Sequence, residues 1–107
     1  MLDTFETGWR NTFTPYIEYV LQLFPNVRVE SVERYKGMLR MKLLGDTPEI
    51  QYILDGFTHK LERDSVKLCE KCGKYGTRRF DEYLPEVQCL CFTCYVHTVD
   101  SILTNNQ

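Results

Sequence analysis

Two copies of one short pattern, Cys69-Glu70-Lys71-Cys72 and Cys91-Phe92-Thr93-Cys94, constrain this chain more than any other feature. A tight turn across C-x2-C brings two thiolates within ~4 Å of each other, and backbone N–H groups of the turn hydrogen-bond the sulfurs. Two such knuckles close a tetrahedron around Zn²⁺ with Zn–S bonds of ~2.3 Å. Gly73, directly after Cys72, supplies the left-handed backbone such a turn commonly needs. The spacing therefore predicts Cys69, Cys72, Cys91 and Cys94 as the ligands of one structural zinc per chain, because a closed four-sulfur shell leaves no position for water or substrate. The alternative is that Cys89 or His97 replaces one member. Cys89 lies two residues before Cys91 and shares its side in an extended strand, but it lacks the x2 spacing and reads as a small buried thiol.

The total of five cysteines is odd, which favours metal binding over a disulfide framework. Reduced thiols fit the cytoplasm. The opening MLDTFETGWRNTFTP has three ionisable side chains and no signal-peptide apolar core, and no apolar run nears the ~20 residues of a spanning helix. The expectation is a cytoplasmic protein with no membrane partner. Its oligomeric state is not read from the sequence.

Apolar residues Phe13, Ile17, Val20, Leu21 and Phe24 recur at helical spacing behind Thr14-Pro15, which predicts a helix from about 15 to 24. Pro25-Asn26 ends it. The stretch VRVESVERYKGMLRMKLL alternates like two strands turning at Lys36-Gly37. One face of that hairpin would carry Val27, Val29, Leu39, Met41 and Leu43, and Arg28, Arg34, Lys36, Arg40 and Lys42 would project the other way. A second cap-plus-proline signal, Thr47-Pro48, opens a helix from about 48 to 64 with a stripe of Ile50, Ile53, Leu54, Phe57 and Leu61. Phe92, Tyr95, Val96, Val99, Ile102 and Leu103 suggest a last helix before TNNQ. Trp9, Phe13, Tyr16 and Phe24 are expected in the core.

The expected fold is α+β, with a β-hairpin packed on two helices, then a zinc ribbon-like unit built on four cysteines and a C-terminal helix. With 107 residues there is room for one cooperative domain, read as a helix-hairpin-helix core at 1–65 and a ribbon-like unit with its terminal helix at 66–107. Residues 66–90 mix scattered aromatics with charges and could not order themselves by burial alone, so the metal supplies the missing stabilisation.

A net charge of -2 argues against a dedicated polyanion binder. The distribution is uneven, however: residues 27–79 hold twelve bases and eight acids, and residues 80–107 hold four acids and no base. Arg34, Lys36, Arg40, Lys71, Lys74, Arg78 and Arg79 are candidate contacts for a partner or a nucleic acid if hairpin and ribbon lie side by side. Tyr35, Tyr75 and Phe80 would then be available for stacking. No phosphate loop and no nucleophile paired with histidine is found, and Asp55 and His59, one helical turn apart, read as an ordinary surface pair. His97 reads as an exposed helical side chain.

Gly8-Trp9, the hairpin RYKGMLR, the knuckle CEKCGKYG and the closing LCFTC occur in an order that resembles a family of short phage and prophage proteins, whose pattern runs GW, KxGxLR, CExCGxxG, LCxxC/H. The similarity spans nearly the whole chain, although the segment between the knuckles is longer here. It implies a phage-type zinc-binding accessory protein and no particular activity. Locally, GTRRFDEYLPEVQCLCFTC is similar to the zinc ribbon of transcript-cleavage elongation factors, whose T-R-x-x-D-E tip enters RNA polymerase and helps hold catalytic Mg²⁺. Thr77, Arg78, Asp81 and Glu82 match that tip, with a shorter run to the second knuckle. The expected function is a non-enzymatic, zinc-stabilised interaction protein that is phage-encoded and modulates a macromolecule of its bacterial host. A host protein is the expected partner. The alternatives are a nucleic-acid-binding regulator and an RNA polymerase effector acting through Asp81 and Glu82.

Overall fold

The computed structural model describes residues 6–105, so the first five residues and the last two of the TNNQ tail lie outside the described residues. The architecture is α+β: α1 (Thr7–Leu23), a hairpin of β1 (Arg28–Tyr35) and β2 (Met38–Leu44), α2 (Pro48–Ser65), a short ribbon of β3 (Thr77–Arg79) and β4 (Gln88–Leu90), and α3 (Phe92–Asn105). Its principal extents are 54 × 21 × 20 Å.

Helix α1 begins two turns earlier than the cap-plus-proline signal predicts and runs through Pro15. A proline inside a helix removes one backbone bond and costs about 3 kcal/mol. Starting at Thr7 buries Trp9 and Phe13 on the same face as Ile17, and two large side chains buried at about 2–3 kcal/mol each outweigh that cost. Thr14 Oγ1 is left buried without a partner. Tyr16, expected inside, is 62% exposed.

The hairpin turn forms at Lys36-Gly37, both with positive φ (50° and 74°), as a two-residue type I′ loop requires. Leu39, Met41 and Leu43 are buried, and Val27 and Val29 pack against them. The pairing shifts between Val29 and Ser31. One extra residue reverses the parity of the rest of β1, so Val32 joins the core and Arg34, opposite Leu39, faces inward. The expectation that Arg34 projects with the other cations is corrected by this bulge.

Helix α2 is capped as predicted, the Thr47 hydroxyl accepting the Ile50 N–H at 3.2 Å. Its buried face is Leu54, Thr58, Leu61 and Ser65, while Ile53 points to solvent. The same helix seals the outer edge of β2. Ser65 Oγ accepts the Leu39 N–H at 2.9 Å, Glu62 the Met41 N–H at 3.4 Å, and Gln51 donates to the Leu43 carbonyl at 2.9 Å. Side chains thus replace the neighbour strand that a two-stranded sheet lacks.

Strand β4 is the wall between two apolar clusters. Cys89 enters the cluster of Trp9, Ile17, Leu39, Leu43 and Leu54, whereas Leu90 enters a smaller one with Cys69 and Leu84. Strand alternation sends consecutive side chains to opposite faces, and Gln88, Cys89 and Leu90 are all buried.

Candidate metal centre

The turn at 69–74 and the entry to α3 bring the sulfurs of Cys69, Cys72, Cys91 and Cys94 within 4.8 Å of one another. A tetrahedral Zn–S shell needs S···S separations of ~3.8 Å, and Cys72 and Cys91 stand 3.6 Å apart. The Cys94 N–H donates to Cys91 Sγ at 3.4 Å, the knuckle hydrogen bond expected of a C-x2-C turn. That contact is the main reason the Cys91 pKa is held down at about 7. Burial, reinforced by the neighbouring sulfurs, pushes the Cys94 thiol up. Four sulfurs this close cannot all be thiolates without a cation among them, and binding one releases protons. The donor set fits zinc, with Gly73 at φ 82° closing the first turn.

Cys89 is absent from this group. Its thiol donates to the Val66 carbonyl at 3.3 Å, and burial, followed by the charge of Glu70, pushes its pKa up to about 11. It remains a neutral core thiol. His97 is exposed beside a shallow depression shared with Lys71, Cys94 and Thr98, also outside the sulfur group.

The first knuckle is wedged into the body of the protein. Gly8 donates its N–H to the Glu70 carbonyl at 2.9 Å, so the knuckle supplies the cap that no side chain gives to α1. A Cβ on Gly8 would come within 2.4 Å of both the Cys69 carbonyl oxygen and the Gly73 nitrogen. Trp9 Nε1 donates to the Leu68 carbonyl at 3.0 Å. The Glu70 carboxylate is almost fully buried and accepts from Arg34 Nε at 2.7 Å and from the Cys89 N–H at 3.0 Å. Arg34 also reaches Glu86 at 3.1 Å and the Val87 carbonyl at 2.9 Å. Burial opposes the Arg34 charge, and Glu70 more than offsets it, holding the guanidinium above its ordinary pKa. Glu70 is the polar keystone of the site. The one signal for it was an acid enclosed by the knuckle itself.

The remaining candidate residues separate into two groups. Arg34 and Arg79 are held internally, the latter by the Leu90 carbonyl at 3.0 Å and by stacking 4.9 Å from the Tyr95 ring. Lys36, Arg40, Lys71, Lys74 and Arg78 are exposed. Hairpin and ribbon do lie side by side: a Cβ on Gly37 would meet the Cys89 nitrogen at 2.9 Å, and Arg78 reaches the Lys36 carbonyl at 3.5 Å. Lys36 and Arg40 flank the Tyr35 ring at 5.3 and 4.9 Å, and Tyr75 and Phe80 are largely exposed.

The acidic pair does not sit at the tip of an extended ribbon. The strands on either side are three residues long, Leu84 is buried, and the loop between them folds back towards α3. Asp81 accepts the Tyr95 hydroxyl and the Tyr83 N–H, which commits its carboxylate internally, and Glu82 is exposed. Asp55 turns to Gln51 at 2.9 Å and Lys42 at 3.2 Å, contacts that lower its pKa with Gln51 first, while His59 is exposed. Among the described residues no helix is long and apolar enough to cross a membrane. No family model, no curated protein and no solved structure matches the chain.

Proposed function

We propose that this chain is a non-enzymatic, zinc-stabilised interaction protein, phage-encoded and acting in the cytoplasm of a bacterial host, where it binds and modulates a host protein. The carrying observation is the closed set of four cysteine sulfurs, tied by Glu70 and Gly8 into the main core. Such a shell holds a zinc ion for structure, since it offers neither an open coordination position nor a route for substrate. Its contribution is to order a segment whose own apolar content is small, leaving the exposed surfaces to bind. The aromatic and arginine side chains around the hairpin turn have the composition of binding anchors.

Contact between hairpin and ribbon favours a second reading, nucleic-acid binding through Lys36, Arg40 and Arg78 with Tyr35 and Phe80 beside them. Arg34 and Arg79 drop out of that surface because their guanidinium groups are engaged. The net charge of -2 places it second. The polymerase-effector reading weakens, because Asp81 is spent on Tyr95 and Tyr83.

Affinity capture of the zinc-loaded protein from bacterial lysate, with and without nuclease, separates the target classes. A stoichiometric protein that survives nuclease and ~200 mM salt supports the first reading. Capture that nuclease abolishes, with affinity falling steeply between ~50 and ~200 mM salt and on Arg78→Ala, reverses the order.

A further inference from the structure

The hairpin has two outer edges, and side chains of α2 seal the one on β2. In an antiparallel pair, opposed residues alternate between those that bond across the ladder and those whose N–H and C=O point away from it. Leu39, Met41 and Leu43 turn such groups to α2, which fixes their partners Arg34, Val32 and Val29 as the residues of β1 with outward backbone groups. No further strand pairs there, and among the described residues nothing bonds the outward groups of Val32 and Arg34. A row of unpaired N–H and C=O groups is a template for another extended backbone. Beside it, Val29 and Val32 are only partly buried against the core, and Glu30 and Glu33 are exposed. Glu33 meets Arg40 at a long 3.8 Å, and Glu30 has no ion pair among the described residues.

We propose that the outer edge of β1 binds a protein partner by strand addition, taking an extended segment in which apolar and basic side chains alternate. Directly opposed residues of a sheet share a face. The partner side chain opposite Val32 therefore continues the apolar layer, and its neighbours in sequence, on the solvent face, meet the carboxylates of Glu33 and Glu30. A nucleic acid would instead set its phosphates against those two acids. Register argues against a second copy of this chain. About a two-fold axis, pairing Val32 of one copy with Arg34 of the other places the two Glu33 side chains directly opposite each other, a repulsive pair. Centring the pair on Val32 sets Arg34 against the bulged Glu30, and centring it on Arg34 sets Val32 against the turn at Lys36. The proposal rests on the protein-binding reading above and names the surface and the class of segment it takes.

Fluorescence anisotropy of a labelled short peptide of alternating valine and lysine, titrated with the full zinc-loaded chain, tests it. Saturable binding below about 200 μM is expected, with slowed amide exchange at Val32 and Arg34. The valines opposite Val32 and Arg34 would exchange hydrogen bonds with them, so N-methylation of the valine amides should weaken binding at least about tenfold, and N-methylation of the lysine amides should not. Glutamate in place of lysine should weaken it as much, and the exposed Glu33→Lys variant should lose at least about fivefold for the lysine peptide at unchanged zinc content. Absence of saturable binding up to about 1 mM overturns the proposal, as does equal binding of the valine-methylated peptide. Protection of the same two amides that rises with protein concentration in the absence of peptide overturns it in favour of a second copy. A host protein captured as strongly by Glu33→Lys as by the unmodified chain overturns this edge and leaves the protein-binding reading in place.

Discussion

The two knuckles share a spacing and differ in what holds them. In the first, Cys69 and Glu70 are buried while Cys72 is exposed, Gly8 of α1 presses against the turn, and Arg34 of β1 holds the carboxylate. In the second, Cys91 and Cys94 are only partly covered, and the knuckle opens a helix with no buried side chain. A common ligand set therefore joins a turn braced by the core to a helix entry that a bound metal would hold in place. An ion held there would act less as a cofactor of the ribbon than as the bolt between ribbon and core.

The largest effect expected from this asymmetry is on metal removal. Structural zinc contributes on the order of 10 kcal/mol to the folding of small domains. Chelation should therefore release α3 and the loop between β3 and β4 while the hairpin, α2 and the buried β4 keep their amide protection. Hydrogen exchange reads this by segment, and uniform loss across the chain would abolish the contrast between the knuckles.

Next in size is the buried carboxylate. Glu70→Ala leaves the Arg34 charge and the Cys89 N–H without their partner, and breaking such a pair costs about 3–5 kcal/mol. Denaturant unfolding of the zinc-loaded variant checks it. A cost below about 1 kcal/mol would show that the first knuckle is not anchored through Glu70. Gly8→Ala follows, because its Cβ would meet backbone atoms at 2.4 Å and α1 must shift off the knuckle. Overpacking of this kind costs about 1–3 kcal/mol, and the same unfolding measurement should show α1 loosened together with the 69–74 turn.

The smallest effect concerns Cys89. Its folded pKa of about 11 lies above the ordinary 9.0, so the neutral thiol stabilises the fold fully below pH ~9 and that contribution is lost as pH rises towards 11. Cys89→Ser should cost about 1 kcal/mol at neutral pH and flatten this alkaline decline. An unchanged pH profile would mean that Cys89 is not the buried thiol described.

These contrasts explain what could and could not be read from the residues. The ligand spacing, the Lys36-Gly37 turn and the α2 cap are local signals, and each forms where expected. The start of α1 was hidden because Thr14-Pro15 imitates a cap, while the actual determinant is the packing of Gly8 and Trp9 on a segment about sixty residues away. Arg34 was misdirected by the bulge after Val29, which no alternation pattern announces. Glu70 needed both facts at once: a knuckle that faces the core and a strand whose parity had been reversed to meet it.

The most direct test of the account is metal stoichiometry in single cysteine variants, measured by elemental analysis of chain purified under reducing conditions. One zinc per chain is expected in the unmodified protein and in Cys89→Ser, and loss of the metal in Cys69→Ser, Cys72→Ser, Cys91→Ser and Cys94→Ser, because those four sulfurs would form the whole shell. Zinc lost from Cys89→Ser but retained by Cys91→Ser would contradict it.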